Sequence, residues 1–381
     1  MTPALRVALV RQRYNPHGGA ERFLERAIAS LAGGGVAFTV FAREWPAPGG
    51  AEIVRCDPFY LGRVWRDWSF ARAVCRALHE HGADLVQSHE RIACCDVYRA
   101  GDGVHAQWLE NRSRALGWTA RIGIACNPWH RYILAAERAL FASARLRAVI
   151  CNSRMVSEEI RTRFGVDAAK LHVIYNGVDL EFFHPRVREE HRARARTELG
   201  IPQDAMTWVF VGSGFERKGV LRLLRAFASG ADARAHLIIV GTDKAESRAR
   251  SAARELGIAA RAHFLGGRDD VRAWYGAADA FALPTLYDPF PNAALEAMAC
   301  GLPVLTTRQC GAAELIEPGV NGFVCDVMDA AALAGAVRQL DASRARAMGE
   351  KARARVAQFG LDAMAGRLLA LYRELLGRPL T

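Results

Sequence analysis

Residues 5–10 form a short apolar strand pattern broken only by Arg6, and after a polar loop the apolar positions recur at Ala20, Phe23, Leu24, Ala27, Ile28 and Leu31. A spacing of three and four is one face of a helix, and the glycines at 33–35 end it. A second apolar run over 36–41 reads as the next strand. The alternation continues with a helix over 64–81, a strand at 85–87, a helix over 129–144, a strand at 148–151, a helix over 155–164 and a strand at 172–175. Strands rich in Val, Ile and Leu without polar alternation are buried on both faces, which requires a parallel sheet between two helical layers.

From Glu181 to Pro202 this pattern fails: the segment is charge-dense, holds two prolines and offers no strand. Beyond it the series restarts, with strands at 208–211, 237–240, 263–265, 280–283 and 304–306. The fold class is therefore α/β, with two Rossmann-like doubly wound domains in tandem facing across a cleft. The boundaries read as a first domain over 1–184, a linker over 185–202, a second domain over 203–358 and a terminal helical segment over 359–381. Ligands of such sheets bind beyond the carboxyl ends of the strands.

The chain has 381 residues, of which 51% are apolar and 24% charged, a balance that excludes a disordered or collagenous protein. Its net charge is +11, yet all but Lys170, Lys218, Lys244 and Lys351 of its 51 basic residues are arginine. The basic residues are spread along the chain with no tail, so no nucleic-acid partner is expected. One stretch stands out. Residues 99–147 hold eight arginines against Asp102, Glu110 and Glu137, interleaved with Trp108, Trp118, Trp129, Tyr132 and Phe141. Such a face suits an anionic membrane or a phosphorylated acceptor, while helices packed with their arginines in solvent are the plainer reading. Nine cysteines without a C-x-x-C pair point to a reducing cytoplasm. The first apolar run is too short for a signal peptide, and no run reaches the roughly 18 apolar residues of a spanning helix.

Three segments carry candidate chemistry. In Tyr14 to Glu21 the pair Gly18 and Gly19 stands between the first strand and the first helix, where backbone can approach a phosphate; an ordinary turn fits as well. It lacks the G-x-G-x-x-G pattern and a following acid, so a nicotinamide oxidoreductase is disfavoured. In Val211 to Gly219, small residues precede Arg217 and Lys218, cations suited to a diphosphate and set against the dipole of the helix they are expected to begin. In Tyr287 to Pro303, Asp288 lies in a loop, Asn292 is placed to cap a helix, and Glu296 falls in its first turn. Two acids flanking a helix N-terminus fit a ligand with hydroxyls at each end and phosphates between them, as in a nucleotide sugar.

These residues resemble the signature of the retaining glycosyltransferases of family four, which have the GT-B architecture. The family's Glu-x(7)-Glu motif reads here as Asp288-x(7)-Glu296. The resemblance spans the chain. YNPHGGAERF, DVYRAGDGVHAQ, VGSGFERKGV, VGTDK, FLGGRDDV and LEAMACGLPVLTT are similar to members that add the first glucose to the heptose of the lipopolysaccharide inner core. Those members use UDP-glucose at the cytoplasmic face of the inner membrane. The resemblance implies that Glu296 holds the ribose hydroxyls, Arg217 and Lys218 the diphosphate, and Gly18 and Gly19 the same phosphates from the first domain. It implies that Asp288 orients the donor sugar with backbone near Phe290, Pro291 and Asn292, that the base rests near Gly266, Gly267 and Arg268, and that Asp102 and His105 serve the acceptor side. His89 is a lesser candidate there.

It further implies that the last helix crosses back to the first domain. Asp288 departs from the family by one methylene, which leaves UDP-GlcNAc or GDP-mannose open as donors for a cell-surface polysaccharide or glycolipid. No D-x-D occurs, so no metal ligand set and no cofactor are expected; the nucleotide sugar is a co-substrate. The acceptor is expected to be a lipid-linked saccharide, and the site of action the inner face of the inner membrane. A non-catalytic sugar-nucleotide binder is the rival reading, separable by transfer assays.

Overall fold

Leu5, Val7 and Leu9 lie on one side of the first strand and Ala8 and Val10 on the other, and both sets are buried in separate apolar clusters. The period of two thus places a hydrophobic layer on each face of the sheet. The structure, a computed structural model, describes residues 5–13, 36–45 and 51–377. The chain divides into two units, residues 1–177 with 361–381, and residues 178–360.

The first unit holds a seven-stranded parallel sheet in the order β3-β2-β1-β4-β5-β6-β7. Its strands are β1 (Leu5–Val10), β2 (Val36–Ala42), β3 (Ala51–Arg55), β4 (Leu85–Ser88), β5 (Val97–Arg99), β6 (Ala148–Cys151) and β7 (Leu171–Val173). One face is covered by the helix Leu361–Leu376, whose Met364, Leu368, Leu371 and Tyr372 join Leu5, Val7 and Leu9. The buried Tyr372 hydroxyl donates to Gln87 Oε1 at 2.7 Å, so the last helix is anchored to β4 by a polar bond as well as by packing. The other face is covered by the helices Gly62–His81, Pro128–Phe141 and Arg154–Phe164 through Phe70, Val74, Leu140, Val156 and Ile160. Ser153 caps the last of these by accepting from Val156 N.

β3 and β5 escape the sequence pattern for different reasons. β3 is a half-exposed edge strand with little apolar signal, and β5 is three residues long and ends in the buried Arg99. The helices His105–Ala115 and Trp118–Cys126 are likewise absent from the pattern reading. Cys75 and Cys94 form a disulfide that ties the helix Gly62–His81 to the loop after β4, a pairing that the scattered cysteines gave no sign of.

The second unit repeats the plan in six parallel strands, β10-β9-β8-β11-β12-β13. These are β8 (Thr207–Val211), β9 (His236–Val240), β10 (Ala262–Gly266), β11 (Ala280–Leu283), β12 (Val304–Thr307) and β13 (Gly322–Cys325). β13, four residues starting at a glycine, is also missed by periodicity.

The segment expected as a linker is instead structured and belongs to this unit. Arg186–Leu199 is a helix on which Arg188, Arg192 and Arg196 repeat every four residues and all reach Asp279. Arg196 is fully buried and also donates to the carbonyl oxygens of Ala277, Pro202, Gln203 and Ala205. Part of the charge density that reads as solvated linker is a ladder of three guanidinium groups spent on one buried carboxylate and the carbonyls of Ala277, Ala278, Pro202, Gln203 and Ala205. No helix among the described residues is long and apolar enough to cross a membrane.

Candidate functional site

In the second unit the strand order reverses between β8 and β11, so the loops leaving these two strands diverge and open a crevice at their carboxyl ends. Arg217 and Lys218 come from the β8 loop and Asp288 from the β11 loop. The three meet: Arg217 Nη1 lies 3.3 Å and Lys218 Nζ 3.5 Å from the same Asp288 oxygen, Oδ2. Arg217 Nη1 also donates to the carbonyl of Tyr287 at 2.9 Å. The β11 loop is bound to the β8 loop by backbone as well, since Leu286 N and Thr285 Oγ1 both donate to Arg217 O.

Arg217 and Lys218 do not begin a helix. They end a four-residue one, Phe215–Lys218, and directly precede the N-terminus of the helix Val220–Gly230, whose capping position is Gly219. The first N–H groups of the four-residue helix, Gly214 and Phe215, already donate to Asp243 Oδ2 at 2.8 and 3.0 Å, so Asp243 occupies the anion position of this turn. Two glycines make the arrangement possible. A Cβ at Gly212 would lie 2.8 Å from Lys218 Nζ, and one at Gly219, which has φ +80°, would lie 1.9 Å from the carbonyl oxygen of Pro284. Burial lowers the Lys218 pKa; the Asp288 carboxylate opposes that shift and Arg217 adds to it.

Glu296 lies on the helix Asn292–Ala299 that follows the Asp288 loop. Pro291 holds the capping position and gives no side-chain cap, so Asn292 starts the helix and does not cap it; Glu296 falls just beyond the first turn. Its carboxylate is buried and accepts from the Tyr275 hydroxyl at 3.1 Å. That hydroxyl lies 3.2 Å from Ala293 O as well, fixing the side chain to the helix it faces. Phe290 and Pro291 are buried, leaving their backbone as the part that can face a ligand. Gly266, Gly267 and Arg268 sit at and beyond the end of β10, with Gly266 O accepting from Gly241 N at the end of β9. All these residues share one sheet edge.

In the first unit the order reverses between β1 and β4. Gly18 and Gly19 lie outside the described residues. Arg11, just after β1, pairs with Glu90 after β4 at 3.5 Å and with Asp102 after β5 at 3.6 Å. Asp102 is therefore joined to this edge by an ion pair. His105 begins the helix His105–Ala115, whose capping position is Val104; Glu137 does the capping from another helix, accepting from His105 N at 2.6 Å and from Ala106 N at 3.3 Å. Arg91 holds that carboxylate at 2.9 Å. The His105 ring lies 3.0 Å from His130 Nδ1 and edge-on to Trp129. Burial, with the charges of Arg91, His130 and Arg63, lowers the His105 pKa to about 3, so the ring is neutral at ordinary pH and can hydrogen-bond without titrating. His89 is buried against Gln87 and its pKa is also strongly lowered.

The sequence reading gives no site role to Tyr275, Asp243, Glu137 or His130. Each acts on a partner at least 21 residues away along the chain, so no local spacing marks it; only VGTDK, which holds Asp243, carries a signal. Several arginines of the 99–147 stretch are engaged: Arg99 with Asn176, Arg114 with Glu110, Arg121 with Ser113 O, Arg145 with Asp96 and Arg147 with Leu375 O.

With this geometry in place, comparison with known proteins gives a consistent picture. A family model described as Glycosyl transferases group 1 matches residues 191–355, and one described as Glycosyltransferase Family 4 matches residues 17–182. The chain is 28% identical over 323 residues to the lipopolysaccharide glucosyltransferase WaaG of Escherichia coli (strain K12), covering 84% of each. It is 31% identical over 265 residues to D-inositol 3-phosphate glycosyltransferase 1 of Catenulispora acidiphila, covering 65% of this chain and 62% of that one. A crystal structure of WaaG matches with a TM-score of 0.82 at 26% identity, over 96% of this chain and 99% of the other. Anabaena Alr3699/HepE in complex with UDP-glucose shares the fold, with a TM-score of 0.74 at 22% identity over 97% and 100%.

Proposed function

From the premise that the chain belongs to the glycosyltransferases, with a family 4 domain and a group 1 domain in the GT-B architecture, we propose that it moves a hexose from a nucleotide diphosphate sugar to a saccharide acceptor with retention of configuration. The preferred donor is UDP-glucose and the preferred acceptor a heptose of the lipopolysaccharide inner core. The observation that carries the reading is the convergence of Arg217 and Lys218 on Asp288 at the β8/β11 switch point, within one segment of the buried Glu296.

In this reading the two cations receive the diphosphate, with Arg217 binding as a fork and Lys218 as a point charge, and stabilise the charge that develops as the nucleotide leaves. Glu296, oriented by Tyr275, accepts from the ribose hydroxyls. Asp288 holds the cations in place and presents its remaining acceptor capacity to the sugar. The base rests against Gly266, Gly267 and Arg268, and backbone at Phe290, Pro291 and Asn292 lines the donor. The family resemblance assigns Gly18 and Gly19 to the phosphates, and Asp102 and His105 to the acceptor. An acceptor oxygen bonds to the anomeric carbon on the face that the phosphate leaves. The carbon–phosphate oxygen bond breaks, and the departing phosphate takes the acceptor proton. Fixed cations do the work of a metal, so turnover is expected to survive a chelator.

Because inositol phosphate transferases are also similar, the donor is to be tested and not assumed. Calorimetry with UDP-glucose, UDP-GlcNAc and GDP-mannose should show UDP-glucose bound most tightly, and Glu296→Gln should weaken that binding roughly tenfold or more, as loss of a charged hydrogen-bond acceptor does. Equal binding by Glu296→Gln, or no binding of any of the three, refutes the assignment.

A further inference from the structure

Four of the large apolar side chains most exposed among the described residues lie within ten positions of one another: Phe59 at 72%, Leu61 at 68%, Trp65 at 42% and Trp68 at 46%. Leu61, Trp65, Trp68, Arg72 and Arg76 recur at three and four along the helix Gly62–His81 and its entry, on the face opposite the buried Phe70, Val74 and Leu78. Phe59 packs edge-on against Trp65, and the Arg72 guanidinium lies 5.1 Å from the Trp68 ring centre. A shallow groove of about 560 Å³ continues the stripe between this helix and Pro128–Phe141, lined by Trp68, Arg72, Cys75, Arg76 and Tyr132. Asp67, the acid of this turn, is spent on Arg66 and on Trp129 Nε1. Among the described residues no acid pairs with Arg72 or Arg76, while Arg63, on the other side of the helix, stacks on Trp129 at 3.8 Å.

We propose that this stripe is a docking face for an anionic bilayer, with Phe59, Leu61, Trp65 and Trp68 entering the headgroup layer and Arg72 and Arg76 meeting lipid phosphates. Exposed indole rings gain from an interface that is apolar on one side and wet on the other. A row of unpaired arginines flanking them matches the negative potential of such a surface. The charge complementarity selects lipid over a protein partner, because the row is uniformly cationic and carries no acid to specify a register. It also moves the expected membrane contact from residues 99–147, where several arginines are paired, to residues 59–76.

The proposal rests on the transferase reading only for the reason a bilayer is at hand, so it is tested without donor or acceptor. Sedimentation is measured with vesicles of phosphatidylcholine alone and with roughly one third phosphatidylglycerol. The native chain should bind the anionic vesicles at least tenfold more tightly, with binding weakened by salt. Trp65→Ser with Trp68→Ser should lower that binding at least tenfold, and Arg72→Gln with Arg76→Gln about tenfold or more with loss of salt dependence. Arg112→Gln, Arg114→Gln and Arg121→Gln together should leave it within about twofold. Thermal midpoints matching the native chain show that the variants fold. Absence of binding by the native chain, binding unchanged in both stripe variants, or loss confined to the 112–121 variant overturns it.

Discussion

At the scale of single residues, the site is governed by which charges are held next to which. Lys218 is partly buried and Asp288 sustains its charge, so Asp288→Asn removes the group that keeps the ammonium protonated. The Lys218 pKa then falls further, and the alkaline limb of kcat/KM should move to lower pH by roughly a unit. The rate at neutral pH should fall about a hundredfold, as loosening of a positioned group does. An alkaline limb at its native position in this variant would show that Lys218 does not carry the profile. Arg217, Lys218 and Glu296 are legible in the sequence because each belongs to a short contiguous motif. Their orientation is not: Tyr275 meets Glu296 across 21 residues of chain.

At the scale of elements, the arginine helix Arg186–Leu199 shows how composition misleads when charge is internal. Five donor contacts and complete burial make Arg196 a structural centre of the second unit. Arg196→Ala leaves four carbonyls without this donor and Asp279 with two arginines in place of three. It should destabilise the unit by about 3 kcal/mol, in the range for breaking a buried pair, as read from a lower urea midpoint with unchanged slope. A loss under about 1 kcal/mol would mean that Arg188 and Arg192 suffice. Periodicity found β1, β8 and β9, whose largely apolar and buried sequences mark them as strands. It passed over β3, β5 and β13, which are short or at an edge and are held by their neighbours' hydrogen bonds more than by their own side chains.

At the scale of the whole molecule, buried histidines set the response to acid. Burial lowers His105 to about 3, and burial with the neighbouring His236 lowers His263 to about 4. The unfolded imidazoles take up protons below about 6.5. Across the window between these values the unfolded chain binds more protons than the native one, so stability falls as pH is lowered. Asp57 and Asp270, whose pKa values are lowered by hydrogen bonds from arginine, act only at more acid pH. Between pH 7 and 5 the loss should be on the order of 2 kcal/mol for each of these two histidines, seen as a lower thermal midpoint in calorimetry; a midpoint unchanged or higher at pH 5 refutes it. The sequence by itself determined the doubly wound class, the repetition of the plan and the motif residues, because periodicity and short motifs are properties of neighbours along the chain. Only the tertiary structure decided that Arg188, Arg192 and Arg196 converge on the buried Asp279, that Glu137 caps a helix from a distance and that Trp65 and Trp68 face outward. Burial and long-range pairing are properties of neighbours in space, to which a linear pattern has no access.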